Sequence, residues 1–336
     1  ELFWNRQHGC EPYNDRAFPA FVVSMGGLRL ARIMDLGVTI AGLHLKNPVL
    51  AAAGTFGYGV EFEDIVDMTR LGGVVTKGLS RTPMAGNPSP RLFETSAGML
   101  NSVGLQNMGA PAFCVTRLPR LRQLGVVVIA NVFGYEIEDY LETIRILDTG
   151  EGIAAYELNA SCPNTQHGGM VFGTDPVALQ ELVSAVTAVA RRPVIVKLSP
   201  NVTSIAQMAA IAEQAGARAL SLVNTFLGMA IDVHTRRPRF AKVVAGLSGP
   251  AIKPLALRMV YEAYRAVKIP ILGMGGIATA EDAVEFMLAG AAAVQVGTTN
   301  FWDPKATENI LNGLERFCHR HGIETLRSLT GALDVE

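Results

Sequence analysis

Eight short apolar runs recur along the chain, at 48–53, 73–77, 126–131, 155–159, 194–197, 219–224, 270–275 and 293–297. Each is four to six residues long, rich in Val, Ile, Leu and Ala, and ends in a polar or small residue. They do not alternate apolar with polar, which is the pattern of strands covered on both faces. Between them lie amphipathic stretches with helix start and stop residues. Asp175 and Pro176 open one that runs to the Arg191-Arg192-Pro193 break, with apolar positions 179, 182, 183, 186 and 189 at helical spacing. Thr279 and Asp282 have capping-box spacing ahead of another, which Gly290 closes. The order Ala-Gly-Ala, then a buried run, occurs at 215–225 and again at 289–299. Such repetition predicts an α/β fold, a (β/α)8 TIM barrel. A doubly wound sheet is the alternative, but its early Gly-x-Gly-x-x-Gly turn is absent. The two long gaps between runs, 78–125 and 225–269, both follow a strand's C-terminal end. That end is where barrels carry active sites.

Composition narrows the partners. With 29 Lys and Arg against 30 Asp and Glu, the net charge is −1. No basic excess exists for nucleic acid or an anionic membrane surface. The chain is 49% hydrophobic, yet its charge-free stretch 95–116 contains Asn101, Gln106, Asn107 and Pro111. No run reaches the roughly 18 apolar residues of a membrane span. Cys10, Cys114, Cys162 and Cys318 lie far apart, with no Cys-x-x-Cys pair. No metal is expected, and a reducing, cytoplasmic compartment fits. Residues 1–33 have neither helical nor strand period and no recognisable secretory leader. They read as an N-terminal extension of unknown role, with a single domain spanning 34–336.

The chemistry gathers where apolar runs turn polar: Lys77, Asn131, Asn159, Lys197 and Asn224, then Gly275, Gly276, Gly297 and Thr298. A lone lysine at a strand end is ordinarily a solvated one. Several polar termini converging on one barrel mouth instead supply donors to an anionic, amide-rich ligand. Gly-Met-Gly-Gly-Ile (273–277) and Gly-Thr-Thr (297–299) leave backbone N–H groups open near helix N-termini in the last two units. Plain turns would use the same residues, but barrels commonly seat a phosphate there. With no dinucleotide motif, a mononucleotide such as FMN fits. Cys162 lies in a polar loop beside Ser161, Pro163 and Asn164, with Gly168 and Gly169 following. A thiol there can serve as general base. A covalent nucleophile is the competing role, and it calls for a histidine partner; His167, read as a surface residue, is the one nearby. The uncharged segment 98–107 is a structural loop or a wrap for a small planar substrate.

Seven motifs in this order then resemble dihydroorotate dehydrogenase: Thr-Lys-Gly (76–78), Met-Leu-Asn-Ser-Val-Gly-Leu-Gln-Asn (99–107), Asn-Ala-Ser-Cys-Pro-Asn (159–164), Val-Lys-Leu-Ser-Pro-Asn (196–201), Asn-Thr (224–225), Leu-Ser-Gly-Pro-Ala-Ile-Lys-Pro (247–254) and Gly-Met-Gly-Gly-Ile (273–277). The resemblance covers 35–336. Cysteine in the base position resembles the soluble class 1. Gly-Gly-Met-Val-Phe-Gly (168–173) and Gly-Met-Ala-Ile-Asp (228–232) resemble its class 1B. The resemblance implies oxidation of dihydroorotate to orotate in pyrimidine biosynthesis, with Cys162 as base for the C5 proton and hydride passing from C6 to FMN. It implies a substrate site of Lys77, Asn101, Ser102, Val103, Gly104, Leu105, Asn159, Asn224 and Thr225. It implies an FMN site of Ala53, Lys77, Gly78, Asn131, Asn159, Lys197, Val223, Gly249, Gly275, Gly276, Gly297 and Thr298. A class 1B enzyme further implies a homodimer of catalytic subunits within a heterotetramer, whose partner subunits carry FAD and a 2Fe-2S cluster and reduce NAD. The alternatives are a fumarate-linked class 1A enzyme and an FMN-dependent dihydropyrimidine dehydrogenase, whose neutral substrate has no use for Lys77. A phosphosugar aldolase or isomerase would explain the glycine corner but not the Cys162 loop.

Overall fold

The structure is a computed structural model, and it describes residues 34–161 and 172–335. Eight parallel strands close a barrel: β1 (Val49–Ala51), β2 (Gly73–Val75), β3 (Val128–Val132), β4 (Ile153–Asn159), β5 (Val194–Lys197), β6 (Ala219–Leu222), β7 (Ile271–Met274) and β8 (Ala293–Val296). They neighbour one another in chain order, β8 pairing back onto β1 through Val294↔Val49 and Val296↔Ala51. Apart from at most two residues at either end, these are the eight apolar runs. The outer ring contains α1 (Ala110–Thr116), α2 (Leu118–Gln123), α3 (Ile137–Asp148), α4 (Pro176–Val189), α5 (Ile205–Gln214), α6 (Lys253–Tyr264), α7 (Ala280–Leu288) and α8 (Ala306–His321). Asp175 caps α4 by accepting from the Ala178 N–H, and Thr279 with Asp282 forms a complete capping box on α7. Both follow from the sequence spacing.

Strand alternation sorts the two faces. Val74, Val128, Val196, Leu220, Val294 and their like point outward and form one large core with the helices. The opposite parity points inward. Leu50, Val75, Ile129, Ala155, Ile195, Ala219, Leu272 and Ala293, one from each strand, pack with Val38, Ile40 and Leu45. Those last three belong to an antiparallel hairpin, Val38–Ile40 with Leu43–Leu45. The hairpin plugs the N-terminal end of the barrel. The other end is covered by the two insertions, which join in one antiparallel sheet. Its strand order is Phe226–Gly228, Ala245–Ser248, Gly98–Asn101 and Leu92–Thr95. The register Gly246↔Asn101, Leu247↔Leu100 and Ser248↔Met99 ties the insertions together, and Leu100, Phe240 and Ala245 give the sheet a small core. Segment 98–107 is therefore only partly a loop, because its first four residues are paired strand. Among the described residues no helix is long and apolar enough to cross a membrane.

Candidate active site

Every described strand-end residue singled out from the sequence lies at the C-terminal face of the barrel. Asn131, Asn159 and Lys197 sit at the ends of β3, β4 and β5, and the remainder follow their strands within three residues. Hydrogen bonds link several of them into a rim. The Asn224 side-chain amide donates to Asn159 Oδ1 at 3.2 Å. The Thr225 N–H donates to Asn224 Oδ1 at 2.8 Å, and the Asn101 side-chain amide donates to Gly246 O at 3.2 Å. Tyr140 Oη donates to Asn159 O, fixing that strand end from the helix side. The backbone of 102–105 is held from behind. The Asn87 N–H donates to Val103 O at 3.0 Å, its side-chain amide donates to Ser102 O and Oγ, and the Asn107 amide donates to Leu105 O. Gly104 and Leu105 both take positive φ, 73° and 58°, so the loop turns sharply there.

The glycine corner is built for close approach. Gly275 and Gly276 follow β7 with φ of 123° and 81°. A Cβ on Gly276 would lie 2.8 Å from Lys253 Cβ and 2.9 Å from Gly249 O. Gly249 itself would meet Gly98 Cα at 2.9 Å. Gly297 leads into the short helix Thr298–Phe301 with its Cβ direction next to Ala52. Free backbone N–H groups beside helix starts suit a phosphate. The cradle closes if side chains are added, and its residues fit FMN.

Below the rim lies a polar layer the sequence reading missed. Glu157 is fully buried at the barrel axis. Asn131 Nδ2 donates to its Oε1 at 2.7 Å, while Ser221 Oγ and Gln295 Nε2 donate to Oε2 at 2.7 and 2.6 Å. Lys197 Nζ stands 3.8 Å from Oε1 with only 8% of its side chain exposed. A carboxylate thus underlies a mouth whose polar strand ends otherwise supply donors. The carboxylate is tolerated because donors from β3, β6 and β8 engage both oxygens. A glutamate within an otherwise apolar run, with Asn159 two residues on, was the sign available.

Lys77 is half-buried. Burial holds its pKa below the ordinary 10.5, Arg91 acts in the same direction and Glu61 opposes them. Cys114 and Cys318 are free thiols pushed up by burial, as packing cysteines are. Cys162, His167, Gly168 and Gly169 lie outside the described residues, as does the 1–33 extension. Ser161, the neighbour of Cys162, is described: its Oγ donates to Lys197 O at 3.5 Å, at the barrel mouth.

Comparison with known proteins points one way. The family model described as dihydroorotate dehydrogenase matches residues 35–318. A Geobacter sulfurreducens protein named dihydroorotate dehydrogenase B (NAD(+)), catalytic subunit, is 55% identical over 90% of this chain and 99% of its own length. A Geotalea uraniireducens protein of the same name is 54% identical over 89% of this chain and 98% of its own. A Solibacter usitatus protein provisionally named dihydroorotate dehydrogenase A (fumarate) is 60% identical over 89% of this chain and 98% of its own.

Proposed function

The chain belongs to the dihydroorotate dehydrogenase family, and from that premise we propose that it oxidises (S)-dihydroorotate to orotate in pyrimidine biosynthesis, with FMN held at the barrel mouth. One observation carries the reading: a half-buried lysine, Lys77, shares the mouth with the hydrogen-bonded amides of Asn159 and Asn224. That combination matches a planar ring bearing one carboxylate and several amide groups. A neutral dihydropyrimidine would desolvate the half-buried Lys77 ammonium further without supplying a charge partner, which is costly.

Lys77 donates to the substrate carboxylate. Asn101, Asn159, Asn224 and Thr225 orient the ring, and the turn at Ser102, Val103, Gly104 and Leu105 covers it. Cys162 takes the C5 proton on its thiolate sulfur; its flanking motif, directly after the β4 strand end, supports this role. FMN, when bound, supplies the two-electron acceptor for the hydride leaving C6. Loss of the C5 proton and the C6 hydride leaves the C5–C6 double bond of orotate. Ala53, Gly78, Asn131, Lys197 and Val223 would hold FMN together with the glycine corner (Gly249, Gly275, Gly276, Gly297, Thr298), and Lys197 offers positive charge to an electron-rich ring.

The electrons then pass to NAD through a partner subunit carrying FAD and a 2Fe-2S cluster, in a cytoplasmic heterotetramer built on a dimer of this chain. Relatives named as NAD(+)-linked catalytic subunits, at 51–55% identity, support this acceptor. A fumarate-linked enzyme acting without a partner is the second reading, favoured by the 60% identical relative named for fumarate. Steady-state assays of the purified chain with dihydroorotate separate the two. The first reading expects NAD reduction only after an iron–sulfur flavoprotein partner is added. Turnover by the chain alone with fumarate would establish the second.

A further inference from the structure

We propose that Glu157 is a positioning residue that offsets the positive charge Lys197 presents to the flavin and so holds the flavin's reduction potential down. This rests on the reading of the barrel mouth as an FMN site.

On β4, Ala155, Glu157 and Asn159 project to the same side of the strand. Ala155 belongs to the apolar plug and Asn159 to the rim, so Glu157 lies one layer beneath the ligand groups. Its oxygens draw in side chains from β3, β6 and β8, namely Asn131, Ser221 and Gln295. A barrel interior is filled most cheaply by apolar side chains, and a buried carboxylate is expensive even when paired. A glutamine would fill the same space without the charge. What glutamine would lack is the negative charge beside Lys197. The separation of 3.8 Å is an ion-pair distance but not a hydrogen bond. The ammonium is therefore attracted and held in place while its N–H groups stay available to a ligand at the mouth.

The sign follows from charge alone. Reduction adds electrons to the flavin, and an unopposed Lys197 would stabilise that state and trap them. Glu157 counters the lysine, so the electrons leave more readily for the next acceptor.

The test compares FMN-loaded wild type with Glu157→Gln. The substitution preserves shape, and a turn of the Gln295 amide, whose Nε2 now faces the carboxylate, would bring its buried, unpartnered Oε1 round to accept the new N–H. The expected result is retained FMN with a midpoint potential raised by about 30 mV, a tenfold gain in preference for reduced over oxidised flavin. Reoxidation of the reduced enzyme should slow correspondingly. Ser221→Ala withdraws one donor from the carboxylate and should shift the potential the opposite way, which keeps the test decisive if Glu157→Gln fails to fold. A role confined to packing would lower the melting temperature and leave both potentials at the wild-type value; that result overturns the inference and leaves the flavin reading intact. Failure of the wild-type chain to hold FMN at all overturns both.

Discussion

At the scale of single residues, the proposed reaction divides binding and proton transfer between Lys77 and Cys162. Lys77→Met removes the partner of the substrate carboxylate. Hydrogen bonds to charged groups are worth about 1.5–3 kcal/mol, so KM for dihydroorotate should rise roughly 10- to 150-fold with a smaller change in kcat. Because burial holds Lys77 below 10.5, the unfolded chain keeps that proton to higher pH than the folded chain does. Folding stability should therefore gain as pH rises between the folded pKa of Lys77 and 10.5, as the buried charge is relieved. Substrate binding needs the ammonium and runs the opposite way: KM measured against pH should climb before pH 10.5 is reached. A KM flat up to that pH would show that Lys77 is not the carboxylate's partner. Cys162→Ala should keep bound FMN yet lose on the order of 10²- to 10⁴-fold in turnover. Full activity in that variant would remove Cys162 from the base role.

At the scale of elements, the hairpin plug and the glycine corner are the parts whose failure separates stability from cofactor retention. Ile40 is fully buried against one residue from each barrel strand. Ile40→Ala should cost about 2–5 kcal/mol in urea unfolding and leave the mouth chemistry alone. Gly276→Ala acts at the other end. Its positive φ and the 2.8 Å approach to Lys253 Cβ force the start of α6 to move. Lys253 bonds Asp282 at 2.6 Å, so the N-terminus of α7 would move with it. Flavin content per chain should fall more than the melting temperature does. How legible these elements were depended on how local their causes are. Non-alternating apolar runs and the Asp175 and Thr279 caps are written in neighbouring residues, and the strands and helices appear where those residues put them. The mouth sheet was not legible, because Asn101 meets Gly246 across a separation of 145 residues and neither segment is strand-like alone. Glu157 was passed over because its run was read as uniformly apolar. Alternation within a strand decides which side a residue faces, and here it turns one glutamate into the floor of the site.

At the scale of the whole molecule, the barrel separates what holds it together from what it does. Its N-terminal end is an apolar plug, its middle a charged layer in which both oxygens of Glu157 are hydrogen-bonded, and its C-terminal end a rim of lysine, amides and bare backbone under a sheet shared by both insertions. Relatives of similar identity are named for different acceptors, fumarate and NAD, and share dihydroorotate in their names. Substrate and flavin are therefore the parts to test first, and one experiment addresses both together. The purified chain is made anaerobic, its visible spectrum is recorded, and dihydroorotate is added. The prediction is a yellow protein whose flavin absorbance bleaches rapidly on addition and returns when an acceptor is supplied. A yellow protein that keeps its colour would contradict dihydroorotate as the substrate, and a colourless one would contradict the flavin site itself.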